Sequence, residues 1–400
     1  MTVADRMQRL MIRIYLRYVS VLFCAVARIV AGRRKQPERL GKELLILKPD
    51  AIGDYLLVRN FLTLVRNCEA FRDYRVTFCG NAACRDLAEP FDREVVDEFI
   101  WIEKSAVYLN PIRYSRLISR MNGRYDITIH AVRSRELLFD FLARYSSCGE
   151  RIAPEGDTVN ILPLYKKHTD RWYTRLVPCG NASTFEFEAN RRFFGALLGT
   201  EVNVTFPYLD LLAGTGPEPA DLPEKMALVF PGAQLPFRRW APENFAIVCR
   251  HLHEVYGLEI VLMGAPDDRQ MAEKIRRGLS FPVTDLTGRT KLADVPGLIA
   301  RAQIVLTNDS MAVHIAAALK VPVVVISQMN HYGRFVPYPA GGDVKMACVI
   351  PAEFTGKDPA EMAQRFRCGS DINISRVSVD QVIRATDAML DPHTKKSGGA

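Results

Sequence analysis

The sequence predicts an α/β protein built from two doubly wound halves, and three observations carry the prediction. Apolar runs of strand type alternate with helical stretches along most of the chain. A segment dense in glycine and proline, Leu212 to Glu224, interrupts that alternation, and the same rhythm restarts beyond it. Strands end in short loops of Gly, Pro, Asp and Asn before the next helix, the order that a parallel sheet with crossover helices requires. At 400 residues, 48% hydrophobic and 24% charged, the chain has material for two separate cores.

The first stretch, residues 6–31, reads as one helix. Arg6, Arg9, Arg13, Arg17, Ser20, Cys24 and Arg28 recur at spacings of three and four, which lays a polar stripe along an otherwise apolar surface. Its longest charge-free run, Tyr18 to Ala27, is ten residues, against the roughly 20 that a membrane span needs. Gly32-Arg33-Arg34-Lys35 is also a poor signal-peptidase site. The stretch reads as a basic amphipathic helix in the interface of an anionic membrane, residues 6–35 making the contact. A helix docked on its own domain or on another subunit is the competing account.

Of the formal net charge of +8, residues 1–45 carry +7 and the remainder +1. The body of the chain has no basic surplus, so no nucleic-acid partner is expected. Nine cysteines, an odd number with no C-x-x-C pair, indicate neither a disulfide framework nor a zinc knuckle and fit a reducing compartment.

After a linker over Lys35–Gly41, Glu43–Lys48 is a buried parallel strand. It feeds the loop Pro49-Asp50-Ala51-Ile52-Gly53-Asp54 and a helix with Leu57, Phe61, Leu64 and Val65 on its apolar face. Arg75–Cys79, Phe99–Ile102 and Asp126–His130 are the next strands. Between Ser146 and Thr205 the pattern blurs into loops and a helix near Phe185–Leu198. Beyond the boundary come strand Met226–Phe230, loop Pro231-Gly232-Ala233 and a helix that Pro242 opens and Tyr256 closes. Strand Glu259–Met263, the loop Gly264 to Asp268, a helix to Gly278, strand Pro282–Asp285 and helix Leu292–Arg301 follow. Strand Ile304–Thr307 then meets Asn308, Asp309 and Ser310 and an Ala-rich helix, and strand Val321–Ser327 follows. The divisions are 1–42, helix and linker; 43–215, first half; 225–375, second half; and 376–400, a closing helix and disordered tail. Two such halves imply a cleft that holds the ligand.

The junction at Asn308-Asp309-Ser310 aims free helix N–H groups and the positive dipole end at the carboxyl edge of the sheet, where anions bind. Asp309 and Ser310 are equally explained as caps. No G-x-G-x-x-G, G-x-x-x-x-G-K-[ST] or D-x-D occurs and the histidines are dispersed, so neither a nicotinamide, flavin or P-loop site nor a dedicated metal site is indicated. No cofactor is expected. Without a metal, a leaving diphosphate is neutralised by cations and helix N-termini. Arg238 and Arg239 sit in a loop after a strand, where their guanidinium forks suit phosphate oxygens or simply face solvent. His314, one turn into the Ala-rich helix, is a phosphate donor or a packed helical histidine. Asp268 is a ribose acceptor or a helix cap. Asp54, at the end of the first strand, is a general base or an N-terminal cap.

Taken in order, these motifs resemble those of glycosyltransferase family 9, the lipopolysaccharide heptosyltransferases. The match runs through Leu44-Leu-Ile-Leu-Lys-Pro-Asp-Ala-Ile-Gly-Asp54, Phe230-Pro-Gly-Ala to Glu243, Met263-Gly-Ala-Pro-Asp-Asp268, Asp285-Leu-Thr-Gly288 and Asn308-Asp-Ser to Leu319. The resemblance implies a GT-B fold of two Rossmann-like domains, acceptor-binding then nucleotide-sugar-binding. It implies inverting, metal-independent transfer from a nucleotide-diphosphate sugar of the ADP-heptose type to a lipopolysaccharide core or other lipid-linked glycan. Peripheral attachment to the cytoplasmic face of the inner membrane goes with it. Position by position, Asp54 matches the catalytic base. Arg238, with Arg239, Ser310, Met311 and His314, matches the diphosphate site. Asp268 and Asp309 match the ribose and sugar contacts, and Gly53, Gly232 and Gly264 the loop backbone. Departures are Met311 for the common Gly, Arg238 for the usual Lys, and Ser327-Gln328 for Gly-Pro. A degenerate member that binds sugar nucleotide or glycan as a membrane scaffold is the alternative function.

Overall fold

The structure is a computed structural model that describes Val21, Phe23, Ala25, Ile29 and residues 41–181, 183–211, 222–341 and 343–391. The helix and membrane contact expected over residues 6–35 lie outside the described residues except at those four positions, which are helical. Phe23 is buried, its ring 6.4 Å from that of Tyr114. The tail expected after residue 391, and most of the boundary after Leu211, also lie outside. No helix of the described residues is long and apolar enough to cross a membrane.

The chain divides into two compact units, the second also taking the short segment before Phe187 and the first recovering Phe187–Thr205. In the first unit, β1 (Lys42–Lys48), β2 (Tyr74–Asn81), β3 (Glu98–Ile102), β4 (Tyr125–His130), β5 (Ser147–Pro154) and β6 (Arg175–Val177) form a six-stranded sheet. Its order is β3-β2-β1-β4-β5-β6, every pairing parallel. The Leu-Leu-Ile-Leu run of β1 is fully buried, as a central strand with helices on both faces must be.

The second unit holds β7 (Met226–Phe230), β8 (Glu259–Leu262), β9 (Thr284–Asp285), β10 (Ile304–Asn308), β11 (Val323–Ile326) and β12 (Met346–Val349). Its order, β12-β11-β10-β7-β8-β9, is also parallel throughout. Read by order of appearance, both sheets share the doubly wound order 3-2-1-4-5-6. In such a sheet the first and fourth strands lie side by side and their connections leave to opposite flanks, which opens a crevice at their carboxyl ends. The two switch points are therefore β1 with β4, and β7 with β10. The closing helix, Val379–Leu390, is capped by Ser378 with Gln381 and packs into the core of the second unit.

The structure differs from expectation between Ser146 and Thr205 and near the end. Strand β5 is absent from the reading because its first five residues, Ser-Cys-Gly-Glu-Arg, are polar and exposed over Cys148–Glu150, and its apolar buried run is only Ile152-Ala153-Pro154. Strand β6 is three residues long, and β12 is a half-buried edge strand. The helix near Phe185 begins at Glu186 and runs to Leu198. Phe187 and Phe194 on it hold the fully buried Phe61 with ring centroids 4.9 and 5.1 Å away. Replacing Phe61 by Ala removes that contact and leaves a cavity. Denaturant titration is expected to show about 3–5 kcal/mol lost from the first unit.

Candidate functional site

At the switch point of the second unit, the loop after β7 and the turn after β10 are bonded to each other. The Asn308 side chain, fully buried at the end of β10, donates to Pro231 O (2.6 Å) and accepts from Trp240 N–H (3.1 Å). It thus closes both ends of the segment that carries Arg238 and Arg239. Between them, Pro236–Arg238 forms a single 3-10 turn. Arg238 reaches Asp309 (Nη2–Oδ2, 2.6 Å), while its buried Nε has no acceptor among the described residues. Arg239 donates to Ala233 O (2.9 Å) and lies 3.6 Å from the Asp268 carboxylate.

Asp268 is buried and its carboxylate accepts from Ala265 N–H at 3.0 Å. A Cβ added at Gly232 or Gly264 would lie 2.3 or 2.9 Å from its Oδ2, so both loops need glycine where they pass this carboxylate. Gly53 sits inside the short helix Ile52–Leu56, its carbonyl accepting from Leu57 N–H.

Ser310 caps the helix Met311–Ala318, accepting from Ala312 N–H at 3.3 Å, and its hydroxyl lies 2.9 Å from that of Thr307. Met311, half-buried, is the first helical residue, where backbone N–H groups have no intrahelical acceptor. His314 faces inward: it is buried and its Nδ1 is 2.9 Å from Tyr338 OH. Burial holds its pKa down to about 4 against the nearby Asp309 charge, and burial pushes Tyr338 up. His314 is thus neutral near pH 7, and what it offers is a ring N–H rather than a positive charge. Asn308, Thr307, Trp240 and Tyr338 belong to this site although the sequence reading gave them no binding role. Asn308 carried a signal in its place between strand and cap; Tyr338 carried none.

In the first unit, Asp54 lies in the first turn of Ile52–Leu56, past the carboxyl end of β1. Lys48, closing β1, is buried and paired with Asp50 at 2.9 Å. Lys104, after β3, meets Glu136, after β4, at 2.5 Å, and Tyr108 OH donates to the same carboxylate. Burial alone would lower the Lys104 pKa; the charges of Glu136, Asp50 and Asp54 hold it above the ordinary lysine range. Asp54 therefore belongs to a mixed-charge group at the carboxyl edge of the sheet. His130, the last residue of β4 and beside Leu47 in the sheet, bonds Tyr173 OH at 2.7 Å, and that hydroxyl reaches Asp140 at 2.7 Å. Neither Lys104 with Glu136 nor this second network carries a local motif, and sequence reading assigned them nothing.

Two doubly wound units with an anion-ready switch point define the class: this is the make-up of the GT-B glycosyltransferase fold. The structure is similar to a Veillonella parvula glycosyl transferase family 9 protein at a TM-score of 0.64 and 18% identity, covering 89% of this chain and 99% of that one. It is equally similar to the Escherichia coli heptosyltransferase WaaC with ADP, at 0.64 and 17%, covering 87% and 99%. Among curated proteins, it is 27% identical over 179 residues to Escherichia coli lipopolysaccharide heptosyltransferase 3, 44% of this chain and 50% of that protein. It is 27% identical over 225 residues to Haemophilus influenzae lipooligosaccharide heptosyltransferase 2, 53% of this chain and 62% of that protein. The chain thus spans about half to three-fifths of the length of these relatives. The family described as glycosyltransferase family 9 (heptosyltransferase) matches residues 187–344. That stretch holds Arg238, Asp268 and the Ser310 turn but not Asp54.

The buried neutral His314 makes a pH prediction. Unfolding raises its pKa from about 4 to the ordinary 6.5, so the unfolded chain binds the extra proton and stability falls as pH drops through that window. By pH 5 the loss is about 2 kcal/mol. Urea unfolding at pH 7 and pH 5 is expected to show this part of the loss in the wild type and not in His314→Gln.

Proposed function

We propose that this chain is an inverting, metal-independent glycosyltransferase. It moves a heptose or related sugar from a nucleotide-diphosphate donor of the ADP-heptose type to a lipopolysaccharide core or other lipid-linked glycan. Its similarity to heptosyltransferases supports the reaction class, and two structural relatives were solved with ADP and with an ADP-fluoroheptose. The observation that carries the assignment is Arg238. A guanidinium with a buried, unpartnered Nε stands beside Asp309 and the capped N-terminus of the helix Met311–Ala318. An incoming phosphate satisfies that N–H and competes with Asp309 for the fork, while the helix N–H groups donate to its remaining oxygens.

In the proposed reaction Asp54 takes the proton of the acceptor hydroxyl. That oxygen attacks the anomeric carbon on the side opposite the diphosphate, and the bond from that carbon to the phosphate oxygen breaks with inversion. The electron pair leaves on the diphosphate, where Arg238, Arg239 and the helix N-terminus stabilise the developing charge. Ser310 and His314 contribute neutral hydrogen bonds, Met311 its backbone N–H, and Asp268 and Asp309 the ribose and sugar contacts. Residues 6–35 hold the enzyme on anionic lipid at the cytoplasmic face of the inner membrane.

Asp54→Asn is expected to leave calorimetric ADP binding within about twofold of wild type while transfer from ADP-heptose to a lipopolysaccharide core falls about 10²–10⁴-fold. Transfer by Asp54→Asn at the wild-type rate would remove Asp54 from its role. The wild-type rate is expected to survive a chelator. Donor binding without turnover across a panel of glycan acceptors would establish instead the degenerate scaffold.

A further inference from the structure

Gln328 is buried at 2% exposure just past β11, on the turn where Ser327 Oγ accepts from Met329 N–H at 3.0 Å and Met329 takes a left-handed φ of 67°. In the orientation that satisfies its amide, the Gln328 side-chain NH2 donates to Phe237 O at 2.8 Å and to Ile372 O at 3.1 Å. Phe237 is the middle residue of the 3-10 turn Pro236–Arg238, immediately before Arg238. The ends of that loop are closed by Asn308, through Pro231 O and Trp240 N–H. The stretch leading into the turn, Gln234 to Pro236, is exposed. The turn is closed locally by Arg238 N–H on Leu235 O at 2.9 Å and Arg239 N–H on Pro236 O at 3.1 Å, and Gln328 adds a tie from its middle carbonyl to the end of β11 and to Ile372 O.

We propose that Gln328 is a positioning residue for the diphosphate loop: by holding Phe237 O it fixes the direction in which the Arg238 guanidinium leaves the turn. The proposal rests on the reading of Arg238 as the diphosphate ligand. The amide suits this place because both groups it meets are carbonyl oxygens. A primary amide has two N–H donors, whereas a methionine of similar volume has none and a carboxylate repels both carbonyls. Gln328 touches no phosphate in this account and acts only through the loop.

The test is a double-mutant cycle on ADP affinity, measured by calorimetry with ADP itself as the probe, on wild type, Gln328→Met, Arg238→Ala and the double variant. Arg238→Ala is expected to weaken ADP about ten- to a hundredfold, as loss of a charge-assisted contact does, and Gln328→Met about three- to tenfold. The decisive result is non-additivity: in the Arg238→Ala background the Gln328 change has no further effect, because it has no guanidinium left to aim. A purely structural contribution would appear undiminished in both backgrounds and overturn the proposal, as would an unchanged affinity in Gln328→Met. If Arg238→Ala itself binds ADP as wild type does, the underlying ligand assignment fails instead, and the positioning claim with it. Should Gln328→Met not fold, Gln328→Glu, of the same length and with at most one donor, is read in the same cycle with the same criteria.

Discussion

The site in the second unit depends on one buried side chain, Asn308. A parallel sheet of order 3-2-1-4-5-6 opens a crevice between its first and fourth strands, and the loops flanking that crevice have no ladder partners of their own. Asn308 supplies both a donor and an acceptor at that point: it satisfies Pro231 O from one end of the arginine loop and Trp240 N–H from the other. Aspartate there would set an oxygen against a carbonyl oxygen, and leucine would leave both backbone groups buried and unpaired. Trp240, fully buried with its indole N–H on Val377 O at 2.9 Å, then ties the loop to the segment before the closing helix. Asp309, Ser310 and the helix N-terminus follow directly from Asn308, so a single residue places the groups proposed to bind the diphosphate on both sides of the switch point.

Charge is arranged around that frame so that no cation stands alone. Arg238 leans on Asp309 and Arg239 on Asp268, the first pair at 2.6 Å and the second at 3.6 Å. Both carboxylates are fixed, Asp268 by the packing of Gly232 and Gly264 around it and by the Ala265 N–H it accepts. Pairing limits the desolvation cost of half-buried guanidinium groups before a ligand arrives, yet leaves Arg238 Nε unsatisfied. In the proposed function a diphosphate, carrying more charge than one carboxylate and more oxygens to accept hydrogen bonds, competes with Asp309 for the fork. The neutral state of His314 fits the same logic, because a protonated imidazole buried beside Tyr338 would have no counterion in contact.

The strands with continuous apolar runs, β1, β7, β10 and β11, were legible because a buried parallel strand has no polar alternation to obscure it. So was the helix opened by Pro242, whose observed span Pro242–Tyr256 matches the reading. Strand β5 was not, since polar Glu150 and Arg151 stand where a core strand would carry aliphatics. Arg238 and Asp309 could each be picked out by local motif, but their pairing across 71 residues could not. The glycines at 232 and 264 were visible as loop formers, whereas their reason, the Asp268 carboxylate that both of them pass, exists only in three dimensions. Lys104 with Glu136, and His130 with Tyr173 and Asp140, are assembled by the fold: their members stand on or beside different strands and helices and carry no signature in the sequence.

The most direct test of the central claim is a crystal structure of the full chain with ADP bound. The account predicts the diphosphate at the carboxyl end of β7 and β10, within hydrogen-bond distance of the Arg238 guanidinium and the N–H groups of the Ser310–Ala312 turn, with the Arg238–Asp309 pair opened. Diphosphate density elsewhere on the chain, with Arg238 still closed on Asp309, would contradict it.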